Sequence, residues 1–315
     1  MGAALALAER GRGRTAPNPN VGCIIVRHGI VIGRGWTQPG GRPHAEAMAL
    51  AEAGEKSRGA TCYTTLEPCA HVSPRGPACA DLLIAAGISR VVVALADPDP
   101  RTDGRGAARL AAAGIDVTAG IGAGSARRSM AGFLTRRALG RPHVTLKLAL
   151  SLDGAVAMAD GMSKWITGAE ARAHTHLERA RHEAILVGRG TAVADSPSLD
   201  VRLPGLENRS PRRLLLTHAP AGPDDIASPD AIAALTGIDH LLVEGGAGTA
   251  AAFLQADLVD RLLLYRAPIF IGGGTTLPDI GLESLPATHG RWALIDARAL
   301  GSDRLEVYER GREPR

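Results

Sequence analysis

Aromatic residues are scarce in this 315-residue chain, at 3% of the sequence. Apolar runs are also short, and none approaches the roughly 18 residues that a membrane span needs. We therefore expect no membrane-spanning segment. Because binders of single-stranded nucleic acid stack bases on aromatic rings, the shortage of rings also argues against a nucleic-acid partner. The cores must be built from Ala, Leu, Val and Ile.

Cysteine is rare and unevenly placed, since all four cysteines lie within the first 79 residues. Cys23 and Cys62 lie in apolar, strand-like runs, where a small buried side chain is the expected role. The N-terminus has no basic segment before its short apolar stretch, so no signal peptide is predicted. These features indicate a reduced, cytoplasmic protein rather than a secreted disulfide scaffold.

The length and charge set the broad class of the protein. A chain of this length predicts about two domains, and the sequence Gly140-Arg141-Pro142 marks the boundary, giving domains 1–140 and 141–315. The formal net charge of +4 is dispersed along the chain. A dispersed basic excess favours small phosphorylated ligands over a polynucleotide surface.

Strands and helices alternate along both halves. Apolar runs predict the strands and Ala-rich segments predict the helices, and this alternation is typical of a three-layer α/β sandwich around a mostly parallel sheet. The first half has predicted strands at 21–26, 30–32, 61–66, 90–96 and 115–118, and helices at 3–10, 44–53, 79–87, 106–113 and 125–138. The second half has predicted strands at 143–150, 184–187, 213–216, 240–243 and 261–265, and helices at 168–182 and 246–255.

One histidine and two cysteines in the first half form a candidate metal site. His44, Cys69 and Cys79 supply one nitrogen and two sulfurs, a donor set that suits tetrahedral zinc. Three protein ligands leave a fourth position for water, as in a catalytic site. Glu46, two residues after the histidine, is then placed to move protons, and the pattern His-x-Glu followed by Pro-Cys is the signature of zinc nucleobase deaminases. A purely structural zinc site, with no open position, is the alternative.

A glycine-rich turn marks a candidate phosphate site in the second half. The run Val243-Glu244-Gly245-Gly246 ends a predicted strand and opens a helix, so backbone N–H groups there are available to an anion. Such turns are common, so the turn by itself does not identify a ligand.

Several blocks, in order over the whole chain, resemble the bifunctional riboflavin-biosynthesis deaminase/reductase family. The blocks are Pro17-Asn18-Pro19-Asn20-Val21-Gly22, His44-Ala45-Glu46, Thr65-Leu66-Glu67-Pro68-Cys69, Asp97-Pro98-Asp99-Pro100, Gly104-Arg105-Gly106, Lys147, Ser151-Leu152-Asp153-Gly154, Ser163-Lys164-Trp165-Ile166-Thr167, Ala194-Asp195-Ser196-Pro197 and Val243-Glu244-Gly245-Gly246.

For the first domain, this resemblance implies a cytidine-deaminase-like fold and a zinc-dependent deamination. The implied substrate is 2,5-diamino-6-(5-phosphoribosylamino)pyrimidin-4-one, a phosphorylated pyrimidine. Glu46 is the implied proton shuttle, and Asn18 and His71 are candidates for contacts with the substrate. An Asn in a Pro-rich turn is also a common turn former, so a purely local role is the alternative for Asn18.

For the second domain, the resemblance implies a dihydrofolate-reductase-like fold and a hydride transfer from NADPH that converts the ribosyl group to ribityl. A homo-oligomer is also implied, and Lys147 and Asp153 either orient the substrate or pin the first turn of the domain. The implied NADPH contacts are Ala149, Trp165, Thr191, Asp195 and Gly246, and the implied substrate contacts are Ser163, Arg179, Leu199, Arg202 and Glu244.

Three departures from the family pattern affect these expectations. Nine residues separate Cys69 from Cys79, one more than usual, which a loop tolerates at little cost. Between Arg202 and Glu244 the chain is some tens of residues short, so one strand–helix unit is expected to be missing. Thr217-His218 replaces the acidic-serine pair at the end of the strand beside the dinucleotide. The last two departures bear on NADPH binding.

Two alternatives to the bifunctional enzyme follow. One keeps the deaminase and makes the second domain a non-reducing scaffold. The other, a nucleic-acid-editing deaminase, is less favoured because editors usually separate their cysteines by two residues rather than nine.

Overall fold

The computed structural model describes residues 1–71 and 73–312. These residues form two compact units, divided between Gly140 and Arg141. No helix among the described residues is both long enough and apolar enough to cross a membrane.

The first unit is built on a five-stranded sheet in the order β2-β1-β3-β4-β5. β1 is antiparallel to β2 and β3, whereas β3, β4 and β5 are parallel. The predicted mostly parallel sheet is therefore a mixed one, because the short turn after β1 returns the chain as a hairpin. Its elements are α1 (Gly2–Ala8), β1 (Gly22–Arg27), β2 (Ile30–Trp36), α2 (Ala45–Ala53), β3 (Thr61–Thr64), α3 (Cys79–Ala85), β4 (Arg90–Val93), α4 (Arg105–Ala112), β5 (Asp116–Ala119), α5 (Ala123–Ser129) and α6 (Ala131–Leu139).

Helices cover both faces of this sheet, which makes three layers. A side chain at Gly22 would collide with α1 at Ala4, and one at Gly35 would collide with α2 at Ala45. Gly22 and Gly35 face opposite sides, because Gly35 is paired with Cys23, the next residue after Gly22. The sheet can therefore pack closely against α1 on one face and α2 on the other only because both positions are glycine.

The predicted helix at 125–138 is two helices. α5 and α6 meet at Met130, whose backbone leaves the helical region with φ of −98° and ψ of 19°. Met130 is fully buried and belongs to the apolar core of the first unit. The break between the two helices therefore lies at a core position.

The second unit contains an eight-stranded sheet in the order β12-β13-β11-β6-β10-β7-β8-β9. The strands from β11 to β9 run parallel, and the hairpin β12–β13 adds an antiparallel edge. Its elements are β6 (His143–Leu150), α7 (Ala169–Arg179), β7 (Ala184–Gly188), α8 (Arg189–Asp195), β8 (Arg212–Leu216), β9 (Asp225–Ile226), β10 (His240–Val243), α9 (Ala247–Gln255), β11 (Val259–Arg266), β12 (Trp292–Leu300) and β13 (Asp303–Arg310).

The shortened stretch before β10 keeps a remnant of a strand–helix unit. β9 has two residues and is followed by a 3-10 helix at Pro229–Ala234, in place of a full strand and α-helix. Ile226 and Ile232 from this remnant are buried in the core of the second unit. The expected loss of one strand–helix unit stays a prediction, and these two side chains show what fills the core at the shortened stretch.

Candidate active sites

Three candidate metal ligands meet where β3 and two helices come together. His44 is the residue before α2, Cys69 lies in the loop after β3, and Cys79 is the first residue of α3. His44 Nδ1 lies 3.3 Å from Cys79 Sγ and 3.7 Å from Cys69 Sγ. Bonds of zinc to sulfur and nitrogen in a tetrahedron place these atoms about 3.6 Å apart. The three side chains therefore fit a zinc ion.

The thiols of Cys69 and Cys79 shift each other's pKa in opposite directions. The hydrogen bond with Cys79 lowers the pKa of Cys69 to about 4, and the amide of Cys79, which donates to Cys69 Sγ at 3.3 Å, acts in the same direction. The hydrogen bond with Cys69 and burial raise the pKa of Cys79 well above its usual value. One thiolate is thus already favoured by the protein alone, which suits a soft cation.

Glu46 lies in the first turn of α2, beside the ligand cluster. Its side chain is 3% exposed, and the Thr64 hydroxyl donates to its carboxylate at 3.3 Å. Burial raises the pKa of Glu46, while the charge of His44 acts in the opposite direction. A carboxyl group whose pKa is raised toward neutrality is suited to taking up and releasing a proton.

The ligand cluster opens into a cavity of about 440 Å³ whose lining includes Asn18, Glu46 and His71. Asn18 also touches the imidazole, because its Nδ2 lies 3.1 Å from His44 Nε2 and donates to the Gly41 carbonyl at 3.0 Å. Asn18 therefore lies against the ring of a candidate metal ligand, a contact that the sequence did not predict. His71 lies farther along the wall, with Nδ1 3.5 Å from the Thr102 hydroxyl.

Glu67 is a buried carboxylate whose role was not predicted from the sequence. It accepts backbone hydrogen bonds from Asp97 at 3.3 Å, Gly104 at 3.0 Å and Ala107 at 3.0 Å. These bonds attach the cysteine loop to the start of α4. A charged residue between apolar Leu66 and Pro68 was the available signal, since a buried charge needs partners.

Acidic and basic groups share the mouth of this first cavity. Arg101 forms a bidentate pair with Asp99, at 2.6 Å for the shortest contact, and Arg137 lies 3.5 Å from the same carboxylate. These arginines hold the pKa of Asp99 below its usual range. Burial instead raises the pKa of Asp97 to about 6. The two acids of one loop therefore titrate differently.

A second cavity, of about 560 Å³, lies in the second unit. This volume is within the range of small-molecule and cofactor sites. The structure brings all ten predicted cofactor and substrate residues of this unit to its wall, namely Ala149, Ser163, Trp165, Arg179, Thr191, Asp195, Leu199, Arg202, Glu244 and Gly246.

A buried ion pair forms one wall of this second cavity. Arg179 donates to both carboxylate oxygens of Glu244, at 2.7 and 3.0 Å. Burial opposes ionisation of Glu244, but Arg179 and Lys147 together hold its pKa below the usual value. Burial lowers the pKa of Lys147. Lys147 lines the cavity, so its amino group faces any ligand bound there.

The glycine-rich turn packs as the sequence suggests, but one of its donors is already used. A side chain at Gly245 would collide with Thr249, so glycine lets α9 start directly against β10. The N–H of Gly246 donates to the Thr191 hydroxyl at 3.1 Å. Thr191 thereby joins the starts of α8 and α9 on the cavity wall.

Trp165 adopts an unusual conformation at the cavity edge. Its φ is +74°, its side chain is 70% exposed, and the Arg172 guanidinium lies 4.6 Å from its ring centroid. A non-glycine residue in the left-handed region carries a conformational cost. An exposed indole held this way is available to stack on a planar ligand.

Other predicted positions have structural partners. Asp153 accepts the N–H groups of Ile271 and Gly272 at 3.1 and 2.8 Å, so it pins a turn and lies outside the cavity lining. Thr217 is buried and its N–H donates to the Ile226 carbonyl. The Thr217-His218 pair is also outside the cavity lining.

Two family models match separate parts of the chain. Residues 1–95 match the cytidine and deoxycytidylate deaminase zinc-binding region. Residues 142–236 and 229–305 match the RibD C-terminal domain. The chain is therefore a two-domain enzyme that joins a zinc-binding deaminase domain to a reductase domain.

Whole-chain comparisons give the particular family. The chain is 40% identical to the riboflavin biosynthesis protein RibD of Escherichia coli, covering 96% of each chain. It is 38% identical to RibD of Mycobacterium tuberculosis, covering 97% of this chain and 95% of the relative. The structure of Acinetobacter baumannii RibD superimposes with a TM-score of 0.87 at 36% identity, covering 99% of this chain and 98% of that one.

The chain belongs to the RibD family, whose members are bifunctional deaminases and reductases of riboflavin biosynthesis. The predicted family, fold class and pair of activities are confirmed. Zinc and NADPH, the predicted cofactors, are those of the two domains.

The comparisons also bear on the shortened stretch. The alignment with the E. coli relative runs over 357 positions, more than the 315 residues of this chain, so this chain lacks residues that the relative has. The two matches to the RibD C-terminal domain overlap at residues 229–236. The 3-10 helix at Pro229–Ala234 lies within this overlap.

Proposed function

We propose that the first domain deaminates 2,5-diamino-6-(5-phosphoribosylamino)pyrimidin-4-one. The observation that carries this proposal is the meeting of His44, Cys69 and Cys79 beside the buried carboxylate of Glu46. A relative from Thermotoga maritima described as a diaminohydroxyphosphoribosylaminopyrimidine deaminase and 5-amino-6-(5-phosphoribosylamino)uracil reductase supports it, with a TM-score of 0.87 at 31% identity, covering 99% of this chain and 97% of that one.

In this proposal, His44, Cys69 and Cys79 hold zinc, which when bound supplies Lewis-acid activation of water. Glu46 takes the proton from that water and delivers it to the amino nitrogen that leaves as ammonia. Asn18 lies against the His44 ring and faces the pyrimidine. His71 contacts the substrate from the cavity wall.

The second domain, in turn, reduces the ribosyl group of the deaminated product. NADPH supplies the hydride. The cofactor is held by Ala149, Trp165, Thr191, Asp195 and Gly246. Ser163, Leu199 and Arg202, with the Arg179–Glu244 pair, bind the ribose phosphate; an Arg guanidinium is suited to a phosphate by its fork of donors. Lys147 orients the sugar from the cavity floor.

Product analysis tests both proposals. Purified protein is incubated with the diaminopyrimidine phosphate, with and without NADPH, and ammonia and NADPH oxidation are measured. We expect ammonia in both incubations and NADPH oxidation in the second. Ammonia without NADPH oxidation would favour the non-reducing scaffold, and titration of NADPH by fluorescence would then show whether the contracted stretch has removed binding.

Zinc removal supplies a separate test of the metal ligands. Chelation should abolish ammonia release and leave reduction of the deaminated substrate intact, because the two cavities lie in different units. Loss of both activities on chelation would contradict the assignment of zinc to His44, Cys69 and Cys79 alone.

We also propose a homo-oligomer located in the cytoplasm. Four unbridged cysteines support a reducing compartment. Light scattering on the purified chain measures the mass in solution, and a monomer at all concentrations would contradict the oligomer.

A further inference from the structure

His176 is a titratable residue in the wall of the second cavity that the proposed reduction does not use. It lies on α7, one helical turn before Arg179, so the two side chains leave the same face of the helix. The imidazole is half-buried. Water can therefore reach the ring, and a ligand in the cavity can contact it.

The loop that carries Arg202 meets the ring of His176 at one nitrogen. The carbonyl oxygen of Asp200 lies 3.0 Å from His176 Nδ1, and the amide N–H of Arg202 points at the same nitrogen from 3.3 Å. The Asp200 carbonyl also accepts a hydrogen bond from Arg179 Nη1 at 3.1 Å. A backbone acceptor and a backbone donor therefore both face Nδ1.

These two contacts give Nδ1 a partner in either protonation state. In the neutral ring, Nδ1 accepts from the Arg202 amide, because the Asp200 carbonyl already has a donor in Arg179. The one ring proton is then on Nε2. In the charged ring, Nδ1 also carries a proton and donates it to the Asp200 carbonyl. Nε2 is thus a donor in both states.

Nε2 is the nitrogen that a ligand in the cavity can contact. The hydrogen bonds of His176 to residues 1–71 and 73–312 are made through Nδ1. Because His176 also lines the cavity, its Nε2–H group is available to a ligand there.

The charges that act on His176 are balanced before a ligand enters. Arg179 pairs with Glu244 at 2.7 Å, and Arg202 pairs with Asp200 at 3.4 Å. These two arginines and two carboxylates are the charged groups that interact with the imidazole. A phosphate monoester carries about two negative charges at neutral pH, and these balanced pairs supply no net positive charge to match them.

His176 is the group beside these pairs that can gain a positive charge near neutral pH. Burial and the two arginines lower the pKa of His176, while the hydrogen bond to the Asp200 carbonyl acts in the opposite direction. Without a ligand, the ring is therefore mostly neutral at pH 7. A dianion at Nε2 favours the charged ring and raises its pKa.

We propose that His176 is a third basic residue of the ribose phosphate subsite, which donates from Nε2 to the phosphate and takes up a proton from water at Nδ1 when the dianion binds; this rests on the reductase site proposed above. The ligand class is a sugar phosphate in its dianionic form. A dephosphorylated sugar has no charge to hold that proton in place. His176 therefore favours the phosphorylated substrate over its dephosphorylated form.

Calorimetric titration of ribose 5-phosphate into the purified full-length chain tests this role. Arg202→Ala identifies the heat that comes from the second cavity. His176→Gln places a neutral amide near the position of Nε2, and His176→Asn places one near the position of Nδ1. His218→Gln is the matched control, because His218 is exposed and lies outside the cavity lining.

We expect the affinity of the wild type, divided by that of His176→Gln, to fall about tenfold between about pH 5.5 and about pH 8.5, which corresponds to raising the pKa by about one on binding. The advantage is full at the acidic end and is lost as the pH rises through the pKa of the bound state, because binding raises that pKa. The phosphate itself titrates near pH 6, about equally with both proteins, so its titration cancels in the ratio.

Two further measurements separate the charge from a purely structural role. In buffers of different ionisation enthalpy, the wild type should take up about half a proton more than His176→Gln at the midpoint of the transition. In the reductase assay near the acidic end, His176→Gln should raise the KM for the deaminated substrate about tenfold and leave kcat within about twofold. His218→Gln should match the wild type in every measurement.

Two results would overturn the role of His176 alone. One is a ratio of affinities that stays within about twofold over this pH range, which would mean that His176 takes up no proton. The other is wild-type affinity and pH response in His176→Asn, which would mean that the residue only holds the loop. If Arg202→Ala loses none of the heat, the proposed ribose phosphate site itself fails, and the role of His176 fails with it.

Discussion

The buried carboxylate of Glu67 gives the most direct test of how the first domain is held together. It is 4% exposed and accepts three backbone N–H groups, those of Asp97, Gly104 and Ala107. In Glu67→Gln the amide oxygen can replace one carboxylate oxygen, but the amide NH₂ then faces an N–H donor. At least one charged hydrogen bond is lost and one buried donor is left unpaired.

The expected loss of stability is about 2–4 kcal/mol: losing one hydrogen bond to a charged group, with its buried donor left unpaired, costs about 1.5–3 kcal/mol, and the change of the remaining charged hydrogen bonds to neutral ones adds to this loss. For a domain of this size each kcal/mol lowers the unfolding temperature by about 3 °C, so a fall of about 6–12 °C is expected. Thermal unfolding, with hydrogen exchange followed over residues 97–110, measures both the global and the local effect.

Glu52→Gln is the matched control. Glu52 pairs with Arg34 at the surface, where both side chains are about half exposed, so its loss should cost at most about 1 kcal/mol. If Glu67→Gln shifts the unfolding temperature no more than Glu52→Gln does, and the amides of Gly104 and Ala107 keep their protection, then the carboxylate does not hold α4 and the reasoning fails.

Three further predictions concern the chemistry and pH response. Glu46→Gln should lower the deaminase rate by about 10³-fold, because it cannot move protons, while zinc content measured by metal analysis stays the same. Glu244→Gln leaves Arg179 buried without its partner and should cost about 3–5 kcal/mol in urea unfolding of the second domain, besides raising the reductase KM; an unchanged midpoint would contradict the pair's role. Asp97, with its pKa raised to about 6, is more easily protonated in the folded than in the unfolded chain, so its contribution to stability is full below about pH 4 and is lost as pH rises through about 6. Asp97→Asn should therefore remove that decline from unfolding curves recorded between these pH values, and an unchanged decline would contradict it.

Local pattern was sufficient for most of the secondary structure. The strands β6 and β10 have the bounds that their apolar runs predict, because a strand buried on both faces reads as one continuous run. The hairpin β12–β13 was missed, since β12 at the sheet edge is largely exposed and its apolar run, residues 292–295, is short. Its strand character comes from pairing with β13 rather than from burial.

The candidate metal site was also readable from residue types. His44, Cys69 and Cys79 are chemically unusual in this cysteine-poor sequence, and their donor atoms lie within 4.8 Å of one another. The contacts of Glu67 could not be predicted in this way. The same holds for the hydrogen bond between His174 Nδ1 and the Tyr265 hydroxyl, at 2.7 Å. Their partners are backbone amides or distant side chains, and sequence spacing gives no sign of such contacts.

The sequence by itself determined the alternation of strands and helices, the metal-ligand set and the family, because these depend on residue types and on short-range periodicity. Only the tertiary structure decided the mixed sheet order, the contracted unit after β9 and the partners of buried Glu67, Glu244 and Tyr265. The physical reason is that the hydrogen-bond partner of a buried polar group must lie close to it in space but can lie anywhere in the sequence.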